Sequence, residues 1–226
     1  MARLTTASEG SPAVSNARKP GITKVKNTLS QEANIMVNAC MNQHMIGTSQ
    51  ALIGSTLCAL ECPRIDEWRE TYCHALIVSD RSRVQISNEE TDIDYFNGVE
   101  GLPIMTCQAL SAEEKFSPFP NHVPDKYTLT GTVTSVDIVN ETIALPGDSY
   151  ELKHTVAIFI GTDKGSVCLC STGIFDENIR VGIDEPLEHC LPSMEQVTDE
   201  WRDSPSDTVR ITRHTTHLDS TPSHTH

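Results

Sequence analysis

The chain has 226 residues, 38% of them hydrophobic, and a formal net charge of −14. That length allows one large or two small domains, and the modest apolar fraction leaves part of the chain outside any core. The acidic balance excludes a surface that coats nucleic acid all round, though not a local basic groove.

In chain order, residues 1–28 hold five bases (Arg3, Arg18, Lys19, Lys24, Lys26) against Glu9 and have no apolar periodicity. They read as a flexible basic arm. No secretory h-region opens the chain, and no apolar run reaches membrane-spanning length. A soluble, intracellular, non-secreted protein is therefore expected, with its eight cysteines reduced and several of them serving as small core residues.

Ser30 predicts an N-cap for a helix over 31–46. Ala33, Met36, Val37, Cys40, Met41 and His44 would form its buried stripe, and Gly47 would close it. A β-type run containing Gly54 follows, then a strand with Tyr72, His74, Leu76 and Val78 on one face. The turn Asp80-Arg81-Ser82-Arg83 leads into a third strand, Val84–Ser87. Residues 88–100 are acidic and polar, and 102–110 add another strand. These pieces make 29–111 a helix-plus-β domain. The three prolines within 112–125 read as a linker and domain boundary.

Residues 126–191 read as a second β domain. Leu129, Gly131 and Val133 share one face, whereas Val136 and Ile138 are out of phase, which predicts a β-bulge near Thr134-Ser135. A long bent strand of that kind can serve two sheets. The next strand alternates Leu152, His154, Val156, Ile158 and Ile160 against Lys153, Thr155, Ala157 and Phe159. The turn Thr162-Asp163-Lys164-Gly165 then precedes Val167–Cys170. Set side by side, the two β regions read as one unit written twice: Gly54 with Gly131, His74 with His154, Asp80 with Asp163, and Val84 with Val167. Chance alignment of short β runs is the competing explanation. Between 176 and 207 ten acids face only Arg180 and Arg202, so 192–226 reads as an acidic, His-rich, disordered tail, apart from an extended segment near 208–212.

The pattern TLTGTVTSVDIV, a variable loop, then HTVAIFIGTDKGSVCLCSTG resembles an OB-fold nucleic-acid-binding domain. The resemblance covers 126–172, and 51–87 more loosely. It implies a mainly β protein of one or two small OB-like barrels, with an N-terminal helix and disordered ends. It also implies a ligand lying across strands two and three, without saying which ligand.

Single-stranded nucleic acid needs a positive groove with stacking rings, each ring contributing about 1–3 kcal/mol. The second region offers Lys126, Tyr127, Lys153, Phe159 and Lys164; the first offers Trp68, Arg69, Arg81 and Arg83. Lys153 and Phe159 share a face of a regular strand, the strongest support for the idea. Each aromatic also reads as a core residue, and aromatics are only 5% of the chain. Cys58, Cys62, Cys73 and His74 lack the paired knuckles of a structural zinc site, and His214, His217, His224 and His226 read as solvated. No nucleotide-binding, hydrolase or metalloprotease motif is present. The expectation is a non-enzymatic protein without metal or cofactor that binds single-stranded nucleic acid and recruits proteins through its acidic C-terminal region. The alternative is a structural or assembly protein, such as a virion component or complex subunit, whose β domains contact partners or copies of themselves.

Overall fold

The computed structural model describes residues 35–64, 70–95, 98–116, 123–202 and 208–219. Its elements are β1 (Ile35–Ala39), α1 (Gln43–Gln50), β2 (Leu57–Cys62), β3 (Glu70–Thr71), β4 (His74–Ser79), β5 (Arg83–Tyr95), β6 (Gly98–Leu110) and β7 (Asp125–Thr128). They continue with β8 (Val133–Leu145), β9 (Tyr150–Thr162), β10 (Ser166–Ser171), β11 (Ile179–Ile183), α2 (Leu187–Cys190), α3 (Met194–Glu200) and β12 (Arg210–Leu218).

The strands form a five-stranded sheet in the order β6-β5-β4-β2-β7 and a seven-stranded sheet in the order β12-β8-β9-β10-β11-β3, with β1 added parallel to β9. One buried cluster holds Leu57, Leu60, Ile77, Val84 and Ile86 of the first sheet with Val133, Val136, Ile160, Val167 and Leu169 of the second. Each such side chain contributes about 1.5–3 kcal/mol on burial, and together they hold the sheets face to face. Met45 and Ile46 of α1 pack against the same cluster.

The two sheets repeat one another strand for strand. A four-strand meander (β2-β4-β5-β6, then β8-β9-β10-β11) is followed by a fifth strand, β7 or β12, that returns to pair with the first. The repeats meet at an antiparallel bridge between Thr56 and Thr132. Around it the hydrogen bonds are reciprocal. Leu57 N–H donates to Gly131 O and Val133 N–H to Ser55 O, both at 2.9 Å. Thr56 N–H donates to Asp80 Oδ1 at 2.8 Å and Thr132 N–H to Asp163 Oδ1 at 2.7 Å. The turns match as well: Ser82 N–H donates to Ser79 Oγ and Gly165 N–H to Thr162 Oγ1, both at 3.0 Å. Both first strands are bulged one residue after the bridge, between Leu57 and Ala59 and between Val133 and Ser135. The bulge expected near Thr134-Ser135 is therefore present, and so are the expected matches of Asp80 with Asp163 and Val84 with Val167. The glycine and histidine matches are not: the reciprocal bonds about the bridge make Ser55, not Gly54, the equivalent of Gly131. In the common register His74 pairs with Ser87, whereas Ala157, not His154, pairs with the equivalent Cys170.

Neither sheet closes into a barrel among the described residues, so the expected OB-like closure is absent. The bent strand explains this. Its first half, β7, pairs in one sheet and its second half, β8, in the other, with Gly131 at φ +118° between them. The bend joins two open sheets and does not fold one sheet back on itself. Pairing also runs across the boundary expected at 112–125, because β7 joins the first repeat while β1 and β3 join the second sheet. A Cβ at Gly131 would lie 2.8 Å from both Asp163 Oδ1 and Thr162 Oγ1. Gly131→Ala is expected to cost more than about 1 kcal/mol. Gly47→Ala, in a helix with nothing within 4 Å of the new Cβ, should instead gain about 0.5–1 kcal/mol. Urea denaturation midpoints of the two variants check the opposite signs.

The helix expected over 31–46 is, in its described part from Ile35, a strand followed by a helix that starts only at Gln43, while 31–34 lie outside the described residues. Val37 and Ala39 are buried while Met36 and Asn38 are exposed, a period of two. The cap is Asn42, whose side chain accepts from Met45 N–H at 3.0 Å, and Gly47 sits inside the helix. The acidic stretch 88–100 belongs to the long β5–β6 hairpin, whose Ile93, Leu102 and Ile104 enter a second core cluster with Ile143, Leu152 and Trp201. The tail expected to be disordered contributes α3 and β12. Val197 and Trp201 are buried, and β12 pairs along its whole length with β8. The basic arm at 1–28 lies outside the described residues.

Candidate interaction surface

The feature that shapes the surface is a second irregularity in β9. Ala157 pairs with Val139, and Thr155 pairs with Asn140, the very next residue of β8. Val156 is thus an extra residue, and everything before it in β9 changes face. Lys153 and Phe159, expected side by side, therefore lie on opposite faces. Phe159 packs against the cluster of Val139, Ala157, Cys168, Cys170 and Cys190. Lys153 Nζ is 3.0 Å from Glu151 Oε1 on the other face.

The remaining predicted residues do not converge. Lys126 Nζ pairs with Glu61 Oε1 at 3.0 Å on the five-stranded sheet. Tyr127 packs against the shared core, with the Arg64 guanidinium 5.7 Å from its ring centroid. Arg83 donates to the carbonyls of Ser111 and Glu114 at 2.6 and 2.8 Å, tying down the loop after β6. Arg81 and Lys164 are exposed equivalents on the two matching turns, and Lys164 edges a cleft of about 100 Å³ beside Thr128, Thr130 and Asp184. Trp68 and Arg69 lie outside the described residues. Among the described residues no group of three or more His, Cys, Asp or Glu side chains is placed to hold a metal ion, and the eight cysteines are unpaired.

Beyond the Val156 bulge, the face of the seven-stranded sheet that carries Lys153 is open to solvent. Across β12, β8, β9 and β1 it presents Thr212, His214, Thr142, Lys153 and Asn38, all exposed or half-exposed, with Arg210 and Met36 at its margins. Glu151 is the one acid that β9 places there. In a chain of net charge −14 this is a locally neutral to basic surface. Sequence reasoning missed it because β12 is hydrophilic on both parities.

The opposite face is anchored by a buried ionic group. Glu141 and His154 are 2% and 3% exposed. Arg213 Nε donates to Glu141 Oε2 at 2.6 Å, and His154 Nε2 lies 3.3 Å from Glu141 Oε1. Burial pushes the Glu141 carboxyl up, but the hydrogen bonds and charges of His154 and Arg213 outweigh it and hold it below the ordinary carboxylate value. Three strands, β9, β8 and β12, are thereby tied side by side. No helix among the described residues is long and apolar enough to cross a membrane.

Fold and surface together define a mainly antiparallel two-sheet β protein whose sheets repeat one topology, with an open sheet face among the described residues. Comparison with family models, with curated proteins and with solved structures finds no match.

Proposed function

We propose that the chain is a non-enzymatic structural or assembly protein whose sheet edges and open sheet face make protein–protein contacts, copies of the chain being the first partner. One observation carries the reading. Among the described residues a long strand, β12, stands at the outer edge of the seven-stranded sheet, beside an open four-strand face. Unpaired edges of that length are templates for strand addition unless they are covered or blunted. Single-stranded nucleic acid is the second reading, favoured by Arg210, Lys153 and His214 facing the same side. It is the weaker one, because among the described residues that face offers no Phe, Tyr or Trp ring for stacking and Phe159 lies on the other side.

Light scattering across a concentration series, with a parallel titration of fluorescently labelled single-stranded DNA and RNA, separates the two. Mass that rises with concentration and no binding tighter than about micromolar is the result expected. A monomer that binds labelled oligonucleotide below about micromolar would replace this reading with the second.

A further inference from the structure

Two edges of this molecule carry opposite charge. β12 ends the seven-stranded sheet among the described residues and carries Arg210 and His214 exposed, while Arg213 and His217 are already paired with Glu141 and Asp137. The β5–β6 hairpin ends the five-stranded sheet, and its described residues 88–95 and 98–101 hold Glu89, Glu90, Asp92, Asp94 and Glu100 with no base. All five acids are exposed, as are Arg210, His214 and His217. On the edge strand β6, beside Glu100, Val99 is 67% exposed, one of the few large apolar side chains left in solvent.

We propose that these edges join in trans: the β6 edge at Gly98–Gly101 of one copy adds to the β12 edge of a second, so that a five-stranded sheet continues the neighbour's seven-stranded one. The proposal rests on the assembly reading above and names its mode. Charge disfavours like edges. β12 against β12 brings the Arg210 and His214 side chains of two copies together, and hairpin against hairpin brings together two Glu100 side chains and the acids of β5 behind them; like charges opposite one another destabilise a strand pair. The β6–β12 pairing instead brings Glu100 toward Arg210 and His214 while covering Val99. Because the two surfaces differ, the contact is head-to-tail and builds chains or rings, not closed two-fold dimers.

The test is a charge swap on the full chain, read by sedimentation velocity at about 0.15 M salt, where the Debye length of about 8 Å screens the overall −14 charge but not touching pairs. Arg210→Glu with His214→Glu gives a molecule whose β12 edge is acidic like its hairpin, and Asp92→Lys with Glu100→Lys leaves the hairpin three acids against two bases but puts a base in place of the acid on the pairing strand β6 itself. All four positions are exposed, and circular dichroism checks each fold. The wild-type chain is expected to self-associate, and each variant alone to associate at least about tenfold more weakly. The equimolar mixture of the two variants should associate again. If the wild-type chain and both variants associate equally, the edge pairing is overturned while the assembly reading survives. A wild-type chain that stays monomeric up to about millimolar, near the weakest measurable affinities, overturns both. A mixture that fails to recover association also overturns the edge pairing.

Discussion

Glu141→Ala is expected to destabilise the protein by about 3–5 kcal/mol, because it leaves the charge of Arg213 buried without a counter-ion. Arg213 already has one buried nitrogen, Nη2, with no hydrogen-bond partner among the described residues. Removing the carboxylate would leave Nε unpaired as well. The loss should appear first in β12, which this contact holds to β8. The pH dependence has a definite sign. The carboxyl is held below its unfolded value, so its contribution is fully present above the unfolded glutamate pKa of about 4.3 and is lost as pH falls through the folded value. Glu141→Gln should flatten that acid limb while retaining a hydrogen-bond acceptor, and so lose less at neutral pH than Ala. Denaturant titrations of the three chains at pH 7 and pH 4 check both statements. Equal stability of wild type and Glu141→Ala at pH 7 would show that the buried group contributes nothing.

Trp201→Ala is the second large effect, at about 3–5 kcal/mol. Trp201 is 1% exposed and fully buried by volume. Its ring centroid lies 5.9 Å from that of Tyr95, 6.1 Å from Phe175 and 6.3 Å from Tyr150. Those rings come from the β5–β6 hairpin, the segment before β11, and β9, so one side chain joins three parts of the chain distant in sequence. Its indole N–H has no partner among the described residues. Trp201→Phe therefore sacrifices volume but no hydrogen bond, and should lose less than half as much as Ala. Thermal unfolding followed by far-UV circular dichroism distinguishes the two. Equal losses for Phe and Ala would mean that the position acts through something other than ring packing.

What could be read in the sequence, and what could not, follows from how each feature is encoded. The turns at Asp80–Arg83 and Thr162–Gly165 carry their own chemistry, the Ser79 and Thr162 hydroxyls each accepting from a backbone N–H three residues on, so they announce themselves. The bulge after Val133 leaves a visible phase slip. The bulge at Val156 leaves none, because the extra residue is itself apolar and buried, and alternation continues on paper while the faces exchange. That single silent residue separated Lys153 from Phe159. β1 reads as helix in the sequence because Met36, Val37, Cys40 and Met41 suit a helical stripe, while the alternation that decides it, Val37 and Ala39 inward, spans only five residues. β12 has almost no hydrophobic face to show, since its stability comes from the ladder with β8 and from Arg213, not from alternating apolar side chains. The repeat itself was legible at its turns and blurred between them, where pairs such as Leu60 and Val136 preserve only apolarity.

Hydrogen exchange, read by mass spectrometry on dilute and concentrated protein, tests most directly the claim that this is an assembly protein working through its strand edges. The backbone amides of 210–218 and 98–101 that point away from their partner strands β8 and β5 should exchange quickly in dilute solution and slow on association. The central strand segment Ala157–Ile160, paired on both sides within the molecule, should not change between the two conditions. Slowing confined to the two edges is the predicted result. Identical exchange of both edges at both concentrations would contradict it.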